Sequence, residues 1–597
     1  MATSHSSRCT VSSFVACMDN YTPSNYGENG HLQHGWSNRL EERIVQLSFQ
    51  LVRTTATGQQ QLTTTLDTII REINGLHNIE ARTEYLDIVR RLILNTRDLE
   101  DGKGEWALGY ALLHVYYTHY PDEALKMIKY FVKALPEDVV DGKPVHPYGS
   151  WKDIKSLWAV FGGVKAPKKF MDFLIKLSND QIRADASSKN PSLAARWLPR
   201  AKGAKNSATP YKPLFEALAL DYFSNYLETA KSADSMVKAR RKAFTDYRKL
   251  LAKINTVLDT TQIKQCAGRY SEINFNNVPS VTMRNQTRAF QNKKGKSGDE
   301  QRSDSDDRIA AAANFSDFVS KAVRGEVSAP KGKRVGLNKM IEDMRLLVNK
   351  SSTPGNIQPC DIETVTVKDL QWTDAGTKIG NLGNFIAMAD LSGSMAGDPL
   401  HAAIGLGLRI AEKSQLGRRI MTFSESPEWI KLDGCNTLSE MMAAMAPYES
   451  FGKWGMNTNF DKALNMILDM CVQNKLPAEN VANMVLVILS DMQIDAADKQ
   501  SQSETMWNKI NRKYAEAGRQ AIGVPYKPPH VLFWNLRHTD GFPTLSSEKN
   551  CTMFSGFSPA LLNSFMEVGM DALKDFTPWS SLKKQLASPR YNLVAFS

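Results

Sequence analysis

Two apolar runs that each stop at an aspartate constrain this chain most: "FIAMAD" at 385–390 and "MVLVILSD" at 484–491. Runs of this length without polar alternation read as strands buried on both faces, the habit of a parallel sheet. The first breaks into "LSGSMAGDP" (391–399), a loop of small and polar residues. It is followed by "LHAAIGLGLRIAEKS", where Leu400, Ala403, Ile404, Leu408 and Ala411 have helical spacing. The unit is strand, polar loop, helix. Open α/β sheets bind ligands at that edge, outside the carboxyl ends of their strands.

In the first loop Asp390, Ser392 and Ser394 alternate, so a carboxylate and two hydroxyls can converge on one point. Such a set suits a hard divalent cation such as Mg²⁺. It equally suits a strand end whose Asp and Ser cap the next helix. Two further loops offer oxygens. Thr458 precedes a second amphipathic helix with Ala463, Leu464, Ile467 and Leu468 on its apolar face, and Asp491 ends the second strand. Beyond it come a helix at 498–517, a strand at 530–536, a strand-like stretch at 551–558 and a helix from Pro559 to about Lys574. This alternation predicts a mostly parallel sheet with helices on both faces, and Trp534 in its core.

The region before 350 reads differently. "WSNRLEERIVQLSFQLVRT" places Leu40, Ile44, Leu47 and Leu51 on one face, "EYLDIVRRLILNTRDLED" does so with Leu86, Val89 and Leu92, and more helices follow after short loops. Successive helical hairpins that bury one face on the next form an α-solenoid. The expected organisation is an N-terminal flexible stretch (1–25), a helical repeat domain (26–350), a connection (351–380), an α/β domain (381–580) and a tail (581–597). In the connection Pro and Gly become frequent and strand-like alternation replaces helical spacing. The polar segment 293–308 reads as an excursion between helices.

The net charge of +11 is unevenly placed. Residues 151–300 hold 28 basic and 13 acidic residues, a net +15, whereas 351–597 hold 22 and 25, a net −3. A concentrated positive surface attracts a polyanion, most commonly nucleic acid. Cations interleave with aromatics here: Lys152 and Lys155 beside Trp151 and Trp158, Arg196 and Arg200 around Trp197, Lys202 just beyond, and Arg284, Arg288, Lys293 and Lys294 around Phe290. Single-stranded RNA needs such cations for phosphate and flat side chains for stacking. The tryptophans fit the cores of helix pairs equally well.

Other chemistry is poorly represented. Gly295-Lys296-Ser297 lacks the glycine a phosphate loop requires five residues earlier, where Phe290 stands. Ser392 is outside G-x-S-x-G, and His31 and His34 have no further zinc-ligand pattern around them. The expectation is a binding protein, with no catalysis. Seven scattered cysteines without a C-x-x-C pair read as reduced thiols. No apolar run approaches the ~18 residues of a membrane helix, and the start lacks a secretory pattern, so a cytoplasmic location and no membrane partner are expected.

The words "ENGHLQHGWSN", "TRDLEDGKGEW", "PYGSWKDIKSLW", "SLAARWLPRAKGAK", "NNVPSVTMRNQTRAFQNK", "NFIAMADLSGSM", "NTNFDKAL" and "ILSDMQID" resemble an uncharacterised family of plant, fungal and giant-virus proteins. That family is similar in layout to the Ro autoantigen, a ring of HEAT-like helical repeats (the TROVE module) followed by a von Willebrand factor A domain. The resemblance implies a metal-ion-dependent adhesion site. Ser392, Ser394 and Thr458 would coordinate Mg²⁺ directly, and Asp390 and Asp491 would act mostly through water. Met456-Asn457 stands where the adhesion-site family often has two glycines. It further implies that the helical ring holds single-stranded or misfolded non-coding RNA, and that the metal captures an acidic side chain of a partner protein. The competing expectation is a metal-dependent protein-interaction scaffold whose basic surface meets acidic proteins without RNA.

Overall fold

A computed structural model describes residues 22–135, 137–140, 142–201, 209–295, 299–349, 357–423, 427–450, 459–493, 504–563 and 570–594. The expected flexible stretch 1–25 lies almost wholly outside them.

The first half is built of helices because its apolar residues recur every three or four positions. In Ala56–Gly75, Leu62, Leu66, Ile69, Ile70 and Ile73 are buried along one face, and the Thr55 side chain accepts the Gly58 N–H to cap the start. Helix Ile79–Arg97 is capped in the same way by Asn78. Trp106–His119 and Pro121–Val132 pack as neighbours, with Pro121 in the first helical turn, where its missing N–H costs nothing. Before these, β1 (Ser24–Tyr26) and β2 (Leu32–His34) form a short antiparallel hairpin, and β3 (Val139–Val140) pairs with β4 (Lys143–Pro144).

The second half contains a six-stranded sheet of β5 (Phe385–Asp390), β6 (Arg419–Phe423), β7 (Glu428–Lys431), β8 (Val485–Ser490), β9 (His530–Asn535) and β10 (Cys551–Ser555), in the order β10-β9-β8-β5-β6-β7. All neighbours are parallel except β6 and β7. The parallel, helix-flanked sheet and the burial of Trp534 therefore hold, while the short pair β6–β7 was not legible. Burial on both faces makes the strands uniformly apolar, yet their residues still divide by parity. Leu486, Ile488, Val531 and Phe533 join a core continuous with the first-half helices, through Ile44, Phe131, Leu174 and Leu218. Val485, Val487, Leu489, Leu532 and Trp534 join the opposite core with helices Leu337–Val348, Asp398–Lys413 and Leu438–Ser450.

The strand-like reading of the connection is wrong: Ile362–Gly376 is a helix. Its β-branched alternation, "IETVTV", is overridden by packing. Val365 and Trp372 enter the sheet-side core and Val367 a small aromatic core around Phe275, Phe290 and Phe315, while Arg409 lies 3.8 Å from the Trp372 ring and donates to the Trp372 carbonyl at 2.8 Å. The excursion after Lys293 is closed by a bridge to Gln301, and Asp306 already begins a helix, Asp306–Val323.

The first and last described segments each return to the other half. The backbone of His34 pairs with Phe542, in the loop after β9. Helix Pro578–Leu586 lies on Ile79–Arg97, and Arg590 makes a buried two-pronged pair with Asp98.

Candidate functional site: the carboxyl edge of the sheet and a cationic surface

From β5 the chain moves outward to β6 on one side, while β8 lies on the other, so strand order reverses beside β5. The carboxyl ends of β5 and β8 therefore lie at that reversal, the usual ligand position in such sheets. Asp390 ends β5 and Asp491 follows β8, and both are fully buried. Asp390 accepts the Ser392 N–H at 2.9 Å and the Ser490 hydroxyl at 2.6 Å, and the Ser392 and Ser394 hydroxyls lie 3.1 Å apart. Burial, together with the nearby Asp491 carboxylate, pushes the Asp390 carboxyl up to about 7. Asp491 accepts the Gln493 N–H at 3.0 Å and pairs with Arg537 Nε at 2.8 Å.

Thus four of the five expected metal-site residues, Asp390, Ser392, Ser394 and Asp491, meet at one sheet edge. Thr458 lies outside the described residues. The donor set fits a hard cation. It consists of oxygens, and of its two buried carboxylates only Asp491 has a guanidinium partner, with no described cation in an ion pair with Asp390. Sequence reasoning missed Arg537. The signal was available, because Arg537 stands just past the carboxyl end of β9, the strand next to β8, and so reaches the same edge.

The second candidate region is cationic. Ala194–Trp197 is a single helical turn whose Ala194 and Ala195 are buried, which turns the Trp197 ring partly outward. Around that ring stand Lys152 and Lys155, each with Nζ 5.9 Å from its centre, and the Arg196 guanidinium at 5.1 Å. Lys155 Nζ also lies 5.7 Å from the Tyr211 ring. Burial and the neighbouring charges of Lys152 and Arg200 lower the Lys155 ammonium, and burial and Arg200 lower the Arg196 guanidinium. None of Lys152, Lys155, Arg196 and Arg200 is in an ion pair with a described carboxylate. Lys202 lies outside the described residues. Trp151 and Trp158 are core residues at 6% exposure each, so of the three tryptophans only Trp197 offers its ring to a ligand.

Arg284, Arg288, Lys293 and Lys294 behave otherwise. Arg284 makes a two-pronged pair with Asp343, which also holds Lys368, and Arg288 pairs with the buried Asp361. Lys293 pairs with Asp299, and Lys294 with Glu300 at 3.5 Å. Arg284 and Arg288 are thus neutralised by acids within the fold and leave the candidate surface, whereas Lys294, 63% exposed, is in a solvent-facing pair of the kind that contributes little. A stretch that sequence reasoning did not single out joins it: Lys238, Lys242, Lys249 and Lys253 are exposed on one row of helix Ala233–Leu258, opposite buried Ala243, Tyr247, Leu251 and Ile254. The far end of that helix sits on the Trp197 turn, with Asn255 donating to the Ala195 carbonyl at 3.0 Å. The spacing of four, seven and four between those lysines was the missed signal.

No described helix is long and apolar enough to cross a membrane.

Residues 169–372 match a family described as a domain of unknown function, DUF2828, and residues 384–587 match a second, DUF7788. Over 523 residues the chain is 26% identical to the uncharacterised protein L728 of Acanthamoeba polyphaga mimivirus, covering 84% of this chain and 80% of the relative. The first match takes in the Trp197 turn and the lysine row, and the second takes in the whole six-stranded sheet. The chain is thus similar along most of its length to proteins of unknown function, one of them from a giant virus.

Proposed function

We propose that this is an RNA-binding protein of Ro-like layout. Its helical half would hold single-stranded or misfolded RNA against Lys152, Lys155, Arg196, Arg200, Trp197 and Tyr211, and its α/β half would carry a Mg²⁺-dependent docking point. The observation that carries the reading is the Trp197 cluster, where Lys152, Lys155 and Arg196 stand about a partly exposed ring with Arg200 beside them, repelling one another with no carboxylate partner among the described residues. An electrostatic arrangement of that kind costs free energy in the isolated chain and is relieved by an anion. RNA suits it, because phosphates answer the cations while bases stack on a flat ring. Binding of a fluorescent single-stranded RNA, followed by anisotropy, should weaken steeply with salt. Salt-insensitive binding, or none, sinks the reading in favour of a protein-interaction scaffold.

Support for the docking point comes from the strand order, in which the one antiparallel strand lies at the edge and the aspartates lie at the reversal, an arrangement similar to a von Willebrand factor A domain. Ser392, Ser394, Asp390 and Asp491 would hold Mg²⁺, which when bound would coordinate a partner's carboxylate. Asp390→Ala should abolish Mn²⁺ binding measured by calorimetry while leaving the far-ultraviolet circular dichroism spectrum unchanged. Equal Mn²⁺ affinity in the two proteins would place the cation elsewhere.

A further inference from the structure

The β1–β2 hairpin lies across the same carboxyl edge. Its tip holds residue 493 from two sides: the Glu28 N–H donates to Gln493 Oε1 at 2.6 Å, and Asn29 Nδ2 donates to the Gln493 carbonyl at 3.0 Å. Gln493 in turn donates its N–H to Asp491. The Arg537 guanidinium spans the remaining gap, with Nε on Asp491 at 2.8 Å and a terminal nitrogen on Glu28 at 2.7 Å. Further along, Gln33 donates to the Asp540 carbonyl at 2.5 Å, and His34 exchanges backbone hydrogen bonds with Phe542. Gly541, at φ +110°, leaves open the space that the Gln33 amide fills. Hairpin and edge are fitted to each other.

The two ends of this relay differ. Asp491 is fully buried, whereas the Glu28 side chain is 55% exposed and sits on a hairpin whose strands have only three residues each. Isolated two-stranded hairpins of this size are marginal in water. The outer end is the one that can let go.

We propose that Arg537 is an internal competitor for the metal, and that the hairpin Ser24–His34 is an autoinhibitory latch which Arg537 couples to the sheet edge. Guanidinium and divalent cation both draw on the Asp491 carboxylate. The state with Arg537 on Asp491 and Glu28 has the hairpin closed, and a cation drawing on Asp491 loosens Arg537 and with it Glu28. A carboxylate cannot serve both cations at full strength, so the coupling runs in both directions. This rests on the metal reading above, and the experiment separates the two.

Mn²⁺ binding to the full chain is measured by calorimetry for wild type, Arg537→Gln, Arg537→Lys and Asp390→Ala, and amide hydrogen exchange of residues 24–34 is followed with and without Mn²⁺. Arg537→Gln should bind Mn²⁺ roughly 5- to 150-fold more tightly, the span of ordinary site-to-site couplings. Arg537→Lys keeps a charge beside Asp491 without the two-ended bridge, so its Mn²⁺ affinity should rise less than that of Arg537→Gln, which separates loss of the cation from loss of fold. In wild type, saturating Mn²⁺ should speed exchange in the hairpin, and in Arg537→Gln exchange should be fast and independent of Mn²⁺. Unchanged affinity in Arg537→Gln, or hairpin exchange indifferent to Mn²⁺ in wild type, overturns the latch while the metal site stands. Absence of Mn²⁺ binding in both wild type and Arg537→Gln overturns latch and metal site together.

Discussion

The two basic stretches of the helical half share a sequence signature and differ in physical state. Around Trp197 and around Phe290 alike, arginines and lysines alternate with aromatics. Near Phe290 every named cation has a carboxylate, and the ring itself is 2% exposed in a small aromatic core. Near Trp197 the cations face one another and the ring is partly open. The difference lies in acids distant in sequence. Asp343 and Asp361 come 59 and 73 residues after the arginines they neutralise, and among the described residues no such acid pairs with the cations of the Trp197 turn. A basic-aromatic word is thus a surface feature only when the fold leaves it unanswered.

The sharpest way to break this comparison is charge reversal on one side of it. Arg196→Glu with Arg200→Glu should weaken single-stranded RNA binding by roughly two orders of magnitude at low salt and flatten its salt dependence, since two phosphate contacts carry about 1.4 of the logarithmic slope. Anisotropy titrations at several salt concentrations read both effects, and an unchanged slope would remove Arg196 and Arg200 from the interface. The matching change on the other side is Arg284→Ala. It should leave RNA affinity within about twofold but lower stability by about 1–3 kcal/mol, because Asp343 loses its two-pronged partner and keeps only Lys368. Urea unfolding measures it. RNA binding that falls with Arg284 while stability holds would reverse the assignment of the two stretches.

Much of the sheet was legible because a strand buried on both faces has no polar alternation and ends where burial ends, as "FIAMAD" and "VLVILSD" do. The gathering of Asp390, Ser392, Ser394 and Asp491 follows from that, since parallel strands put their carboxyl ends on one edge. β7 was hidden because a four-residue strand carries too few positions for a period. Ile362–Gly376 misled because its β-branched residues serve two cores on a helix. Arg537 and Glu28 could not be paired from sequence: they are 509 residues apart, and nothing local to either says that a hairpin from the start of the chain crosses the sheet edge. Partners set by chain return are tertiary facts, and the same holds for Asp343 and Asp361.

A third kind of cation gives the smallest and cleanest test. Lys103 is neither exposed like Lys152 nor paired like Arg284. It is 4% exposed, and its Nζ donates to the Ser48 carbonyl at the end of helix Leu40–Gln50 and to the Ser555 hydroxyl at the end of β10, each at 2.5 Å. Burial pulls its ammonium down to about 7, only partly opposed by Glu105. In the unfolded chain the group holds its proton to about 10.4. Between about pH 7 and 10 the unfolded chain therefore carries one more proton than the folded one, and stability gains from this group as pH rises, by at most about 1.4 kcal/mol per pH unit. Below pH 7 both states are protonated and the contribution is flat. Urea unfolding of wild type and Lys103→Met at pH 7, 8 and 9 should show the slope in wild type and its loss in the variant. Equal slopes in the two proteins would mean that Lys103 stays charged in the folded chain, and that burial alone does not divide the cations of this molecule into three kinds.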